Sequence, residues 1–435
     1  MEPSANDGRP GVMAWLSNFI RSDNTGGVFY GWRLVVVGFL VILVGRQIGE
    51  TAALTAYSTL LYEYVGNGAK WYSVVILVGG AVGLLALPFL GSAIDQIGPR
   101  RVVRIGLALV GVTVLLAAVP VRGIQVLALT ATGGLGLVGI YLPAITTLNH
   151  WFRRRLVVAL AALFFAVAIA AAIVDFAVPL LADVVDWRIV MVAVGLIVLV
   201  ATPVLSRASR DRPEDWGERP DGLGAVPDRS VPNYAWREAL RSGQFWMLAA
   251  AICCTSAVES ISHVYATPVI VDRGVELDTV PDIRRLNSYL TIPFILAGGF
   301  LGYRWPIRYV LSGAAIATAI GIGMMFIGQM LEFLIATLLL AAASGVSVAP
   351  GIAAAGDYFG RRNFAAVTAT IFFLKYLAAF PLLPAVGWLW SVWFGGSSLV
   401  AVAAAALSLI GAGLFFLMGQ PRLSPSQPAA NSSIS

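Results

Sequence analysis

Blocks of about 20 apolar residues recur along the whole chain, and this recurrence constrains the fold more than any other feature. At roughly 1.5 Å of rise per residue, such a block crosses a hydrocarbon core of about 30 Å. In lipid, every backbone N–H and C=O has to be paired within its own segment, so the blocks must be helices. Of 435 residues, 58% are hydrophobic and only 12% are charged, too few to coat a soluble globule of this size. The chain therefore reads as a polytopic, all-α membrane protein.

Twelve blocks are expected. They run near 32–55, 71–94, 102–120, 124–146, 156–182 and 188–205, then near 244–270, 287–303, 309–328, 333–353, 364–390 and 396–418. The first 29 residues are polar apart from Val12–Ile20, a stretch too weak for a signal peptide, so the first span serves as its own insertion signal. With the N-terminus placed in the cytoplasm, 21 of the 29 Lys and Arg fall on the cytoplasmic side and six on the outer side. The remaining two, Arg46 and Lys375, lie inside spans. That asymmetry predicts a multi-pass cell (inner) membrane protein with both termini cytoplasmic. It also accounts for the net charge of +6 without a basic face for nucleic acid. Cys253 and Cys254 are adjacent within a span and read as packing residues, not as a metal site or a disulfide.

The chain repeats itself. Gly91, Pro99, Arg101, Pro143, Phe152, Arg154 and Arg155 recur 207 residues later as Gly298, Pro306, Arg308, Pro350, Phe359, Arg361 and Arg362. Seven identities at one displacement, spread over two loops, imply two six-helix halves in the same orientation. The expected divisions are a segment 1–29, a bundle 30–205, a cytoplasmic loop 206–243, a second bundle 244–418 and a tail 419–435. Two such bundles with a site between them are the architecture of a carrier.

The loop Gly91-Ser-Ala-Ile-Asp95-Gln-Ile-Gly98-Pro-Arg100-Arg101 resembles the signature between the second and third spans of the major facilitator superfamily. The resemblance implies the major facilitator fold, with 12 helices in two pseudo-symmetric bundles. It also implies a cytoplasmic gate latched by Asp95 and the arginines, with Gly91 allowing close helix approach. Gly98, Arg100, Arg101, Arg361 and Arg362 complete the candidate gate. An ordinary positive-inside loop would explain the arginines, but not Gly91, Asp95 and Gly98 at this spacing.

Within that superfamily the chain resembles the bacterial monocarboxylate and oxalate/formate transporter group. Four stretches carry the likeness: Tyr30-Gly31-Trp32-Arg33; Trp151-Phe152 with Arg153–Arg155; Arg212-Pro213-Glu214-Asp215-Trp216-Gly217 with Pro220-Asp221-Gly222; and His263 with Pro268, Asp272, Arg273 and Gly274. One departure stands against it: the stretch Thr291–Ala297 has no cation where members of the group often carry a substrate-binding arginine. The Ala-rich fifth span lacks the Gly-Pro antiporter motif of drug exporters, which lowers the multidrug-efflux reading.

Chemistry in such a chain has to come from polar groups inside the spans, each costly unless paired or hydrated. Lys375 lies deep in the eleventh span. Arg46 sits about 20 Å past Arg33 by helical rise, with Glu50 one turn beyond. Glu259 lies mid-way along the seventh span, His263 one turn later, and Asp175 in the fifth. These groups occupy spans one, five, seven and eleven, which the resemblance places around the cavity. Spans three, six, nine and twelve carry no interior charge, as lipid-facing helices should. Plain structural readings compete: Arg46 with Glu50 as an i, i+4 pair, Lys375 neutralised by Glu259 or Asp175, and His263 as an interfacial residue.

The reading that follows is a secondary transporter of a small organic anion, a carboxylate, working by alternating access. Arg46 and Lys375 would bind it, Tyr57, Tyr141, Tyr289 and Tyr376 would orient it, and Glu259, Glu50, His263 or Asp175 would carry a coupling proton. The alternative is transport of another amphipathic metabolite, such as an aromatic acid, a siderophore or a drug-like compound. No nucleophile–base pair, metal-ligand set or phosphate loop is present in the sequence, so no enzyme, cofactor or metal is expected. The expected partners are the solute, protons and the bilayer, with the chain acting as a monomer.

Overall fold

The computed structural model describes residues 29–48, 84–222, 233–272, 280–327, 330–392 and 396–419. Among them every regular element is helical. The first half contains α1 (Tyr30–Ile42), continued by a π-helical turn (Leu43–Ile48), then α2 (Leu84–Ile97) and α3 (Pro99–Ala117). It goes on with α4 (Arg122–Leu135), a second π-helical turn (Gly136–Tyr141), α5 (Leu142–Trp151), α6 (Leu156–Val184) and α7 (Trp187–Ala208). A short α8 (Trp236–Arg241) leads into α9 (Gly243–Asp272), α10 (Val280–Arg304) and α11 (Ile307–Ile327). The last three are α12 (Met330–Phe359), α13 (Phe364–Val392) and α14 (Gly396–Leu417).

Among the described residues, eight helical stretches are long and apolar enough to cross a membrane. Their outer faces carry large apolar side chains, with Val184 at 81%, Phe89 at 73% and Val200 at 72% exposure. A belt of that kind is unfavourable in water and expected against lipid tails. Several helices run farther than the apolar blocks suggest, α10 by seven residues at its start and two others at their ends. The stretch Gly123–Trp151 and α12 have 29 and 30 residues, about 45 Å by helical rise, and so project beyond the hydrocarbon core. Their last turns hold Asn149, His150 and Asp357. Such residues end a hydropathy window without ending the helix, whose backbone bonds continue regardless of side chain.

The two halves are built alike. The helix beginning at Pro99 packs on the sixth-span helix of its half (α3 on α7), and α11 packs on α14 in the same way. An arginine fastens each pair at one end. Arg100 Nε donates to the Ser206 carbonyl at 2.8 Å, and Arg308 Nη1 donates to the Met418 carbonyl at 2.6 Å. A cation on the free carbonyls of a helix C-terminus supplies partners that the helix lacks. Where α3 crosses the second π-helical turn, a Cβ on Gly106 would overlap the backbone of Gly139, so this crossing needs glycine. The halves meet where α6 packs on α10 and α12, and where α5 meets α13. Cys253 and Cys254 are free and half-buried, in keeping with packing residues.

Candidate functional site

A cavity of ≈ 310 Å³ lies between the halves and reaches into the second. From the first half, Arg46, Leu137 and Tyr141 line it. Arg46 and Tyr141 occupy the two π-helical turns, Leu43–Ile48 and Gly136–Tyr141, which pack on each other. A π-helical turn inserts a residue into the helical register and re-aims the side chains around it, a feature frequent at functional sites. Gly136 leaves room for the arginine stem, since a Cβ there would come within 3.3 Å of Arg46 Cγ. The Arg46 guanidinium then sits 5.0 Å from the centre of the Tyr141 ring. Phe164 of α6 flanks that ring at 5.7 Å and Phe372 of α13 at 6.4 Å, so both halves hold the platform under the cation.

The second half supplies most of the wall, including Glu259 on α9, Ser344 and Ser347 on α12, and Lys375 and Tyr376 on α13. Ser344 Oγ donates to Glu259 Oε1 at 2.9 Å. Lys375 Nζ lies 5.8 Å from the Tyr376 ring centre. Arg46, Tyr141, Glu259, Lys375 and Tyr376 are thus brought to one cavity. Among the described residues no ion pair joins Lys375 to Glu259, so the two do not silence one another by direct contact.

Tyr289 lies on α10 at 46% exposure and does not line the cavity. His263 and Asp175 fall within α9 and α6, but their side chains lie outside the described residues, as do Glu50 and Tyr57 entirely. The walls also differ from the expected set of spans. Leu311, Ala314 and Thr318 of α11, in the ninth span, line the cavity, whereas no described residue of α6, in the fifth, does so. The reason is packing: α6 is engaged against α10 and α12, while the cavity extends into the interior of the second bundle toward α11.

At the basic end of the bundle the two halves touch. Asp95, near the end of α2, accepts from the backbone N–H of Ala365 at 3.1 Å and of Ala366 at 2.9 Å. Those are first-turn amides of α13, which have no acceptor within their own helix. A Cβ on Gly91 would lie 2.5 Å from Ala369 Cβ and 2.6 Å from the Ala365 carbonyl oxygen, so only glycine permits this approach. Arg361 donates to the His150 carbonyl and, through Nη1, to Glu214 Oε1 at 3.2 Å. Burial lowers the Arg361 pKa from its ordinary value, a shift that Glu214 opposes. Arg100 bonds within the first half instead, to Ser206 and through its backbone N–H to Asp211 Oδ1 at 2.6 Å. Gly98 adopts φ +96° beside Asp211. Arg101 is exposed, and the Arg362 backbone N–H donates to Asn233 Oδ1 at 3.1 Å.

Sequence reasoning passed over the carboxylates of the central connection. Asp221, buried and at φ 58°, accepts from the backbone N–H of Arg153, Arg154 and Arg155 at 3.1, 2.7 and 3.4 Å. Arg210 lies between two aromatic rings, 3.7 Å from the centre of Tyr30 and 3.9 Å from that of Trp216. The signal was available: Glu214 and Asp221 stand beside Pro213, Pro220 and Gly222, and Asp211 lies two residues before Pro213, in a chain otherwise poor in acid. This connection is a strap with contacts to both halves, not a passive tether.

Residues 25–282, more than half of the chain, match the family described as the Major Facilitator Superfamily. Among solved structures, the human organic anion transporter MFSD10 (TETRAN) aligns with a TM-score of 0.66 at 15% identity, over 89% of this chain and 99% of that one. A double-tryptophan mutant of XylE aligns with a TM-score of 0.69 at 13% identity, over 90% and 97%. No curated protein matches the sequence. The helical halves, the cavity between them and the family match agree, and the chain belongs to the Major Facilitator Superfamily, a multi-pass membrane transporter and not an enzyme.

Proposed function

We propose that the protein is a secondary active transporter of a small organic anion, a carboxylate, moved by alternating access between the bundles 30–205 and 244–418. The observation that carries this reading is that Arg46 and Lys375, one from each half, line the same cavity. Two cations in a site shielded from water favour an ionised carboxylate, and a guanidinium binds it through two parallel hydrogen bonds. One solved neighbour is described as an organic anion transporter, but at 15% identity that likeness speaks for the fold alone. The oxalate/formate and monocarboxylate resemblance points the same way. Glu259 or Glu50 is the proposed carrier of a coupling proton, since an adjacent ligand charge changes a carboxyl group's affinity for protons. The proposed gate at the basic end consists of Asp95, Gly91 and Arg361, and the charge asymmetry supports a cytoplasmic position for that end and for both termini; an inner-membrane location and a monomeric state are part of the same proposal.

The test is counterflow in proteoliposomes against a panel of mono- and dicarboxylates, with binding measured in parallel. Arg46→Gln or Lys375→Gln should weaken carboxylate binding by about 1–3 kcal/mol, the scale of a lost charge-assisted hydrogen bond. Variants that bind and exchange carboxylates like the parent would sink the anion reading. The second reading, an aromatic or drug-like metabolite, draws support from the apolar reach of the cavity toward Leu311, Leu340 and Phe415. It would take over in that event.

A further inference from the structure

The start of α1 and the end of α7 meet at the basic end of the first half, where the Tyr30 hydroxyl donates to the Ala208 carbonyl at 3.2 Å. Each helix carries an exposed arginine there, Arg33 on α1 and Arg207 on α7. Each arginine also ends an exposed apolar stripe. On α1 the stripe is Val36 and Leu40, three and seven residues after Arg33. On α7 it is Val200 and Val204, seven and three residues before Arg207. Those spacings keep each arginine on the helical face of its stripe. Seven residues of helix rise about 10 Å, roughly two-thirds of the hydrocarbon in one leaflet.

The connection that follows α7 adds a third cation and an indole. The Arg210 guanidinium lies 3.7 Å from the centre of the Tyr30 ring and 3.9 Å from that of Trp216. Arg33 lies 5.8 Å from the same Tyr30 ring, so one tyrosine gathers both guanidinium groups. Buried Trp151 fixes the arrangement: its ring packs on Tyr30 at 5.4 Å, and its indole N–H donates to the Arg210 carbonyl at 3.3 Å. Stacking uses the faces of a guanidinium and leaves its N–H donors at the edge, from which a phosphate takes two parallel hydrogen bonds. Trp216 is 51% exposed and is tied through Arg210 to the first turn of α1. Tryptophan at that depth suits the headgroup level of a bilayer. The apolar stripes would accept the chains of any lipid. The arginines at their ends discriminate, because a zwitterionic headgroup brings a cation of its own and an anionic one does not.

We propose that this edge of the first half binds an anionic phospholipid of the leaflet at the basic end. The phosphate lies among Arg33, Arg207 and Arg210, the acyl chains follow the stripes of α1 and α7, and Trp216 sits beside the glycerol. These residues are not among those that line the cavity, so the site is separate from the one that takes the solute.

The experiment is quenching of tryptophan fluorescence in the full-length protein, reconstituted in phosphatidylcholine vesicles. A fixed minor fraction of the lipid is replaced by brominated phosphatidylglycerol or by brominated phosphatidylcholine. The difference between the parent and Trp216→Phe isolates the signal of Trp216. Brominated phosphatidylglycerol should quench that signal with at least about 10-fold higher relative affinity than brominated phosphatidylcholine, given about fivefold per arginine. Arg33→Gln and Arg207→Gln should each cut this preference about fivefold, whereas Arg33→Lys, which keeps the charge, should retain most of it. Arg304→Gln, at the exposed end of α10 in the second half, should leave the preference unchanged. Equal quenching by the two lipids overturns the proposal. A loss in Arg304→Gln as large as in Arg33→Gln overturns it as well, since a diffuse attraction to the whole basic end would account for that. Quenching by neither lipid, the result of a protein segment lying over Trp216, also overturns it.

Discussion

Replacing Asp95 with Ala removes the acceptor for two backbone N–H groups at the start of α13, bonded at 3.1 and 2.9 Å. A hydrogen bond to a charged acceptor contributes about 1.5–3 kcal/mol, and a carboxylate at a helix N-terminus adds about 0.3–1 kcal/mol. The sum is not realised in full, because water reaches the freed amides once the halves part. A net loss of roughly 3 kcal/mol in the closed arrangement is reasonable, which is about 150-fold in its population relative to the open one. The readout nearest the cause is hydrogen exchange of the segment holding Ala365 and Ala366, measured in nanodiscs. Exchange there should accelerate by about 100-fold in Asp95→Ala, with α11 unchanged as an internal reference. Asp95→Asn keeps one acceptor oxygen and should fall between the two. Counterflow should drop in the same order while the amount of protein in the membrane stays constant. Unaltered exchange at Ala365 and Ala366, or parental flux in Asp95→Ala, would refute the latch.

Three further outcomes follow from close contacts. Gly91→Leu should abolish flux without loss of membrane insertion, because even its Cβ would meet Ala369 and the Ala365 carbonyl; the check is counterflow alongside quantified insertion. Asp221→Ala removes the acceptor of three N–H groups and places Ala at φ 58°, so it should destabilise the protein by about 2 kcal/mol or more. Asp221→Asn, which tolerates that backbone and keeps an acceptor, should lower the thermal midpoint less. Tyr141→Leu removes the ring beneath Arg46 and should weaken carboxylate binding by about 0.5–2 kcal/mol in titration, more than Tyr141→Phe, which keeps the ring.

The spans were legible because lipid imposes one rule on every segment, and that rule is written in hydropathy. The repeat was legible for a different reason: Gly91, Pro143 and their counterparts sit where backbone geometry admits few residue types. Arg46, Glu259 and Lys375 could be found as charges in apolar blocks. The π-helical turns that carry Arg46 and Tyr141 could not, because an extra residue in a helix leaves no compositional mark. The strap was hidden as well. Asp221 acts on residues 66 to 68 positions away, and its partners are backbone amides, which any residue but proline supplies. The exposure of Tyr289 depends on the rotation of α10, whose apolar and polar residues are too evenly spread around the helix for periodicity to fix it.

What the two halves do not share locates the chemistry. At the displacement of 207 that aligns the loops, Ser344 corresponds to Leu137, Ser347 to Ile140, Thr318 to Gly111 and Lys375 to Ala168. These polar positions of the second half therefore have an apolar or absent counterpart in the first. The reverse holds for backbone: the π-helical turn Gly136–Tyr141 maps into α12, which runs unbroken from Met330 to Phe359. A glycine at a close helix contact has been kept in both halves, Gly91 against Ala369 and Gly298 against Val346. A scaffold that rocks about a pseudo-twofold axis needs matching helices and matching ends, but nothing in that motion requires matching cavity walls. The second half is thus free to carry hydroxyl and carboxylate groups on its side of the cavity, while the first half brings a cation there on an altered helical turn.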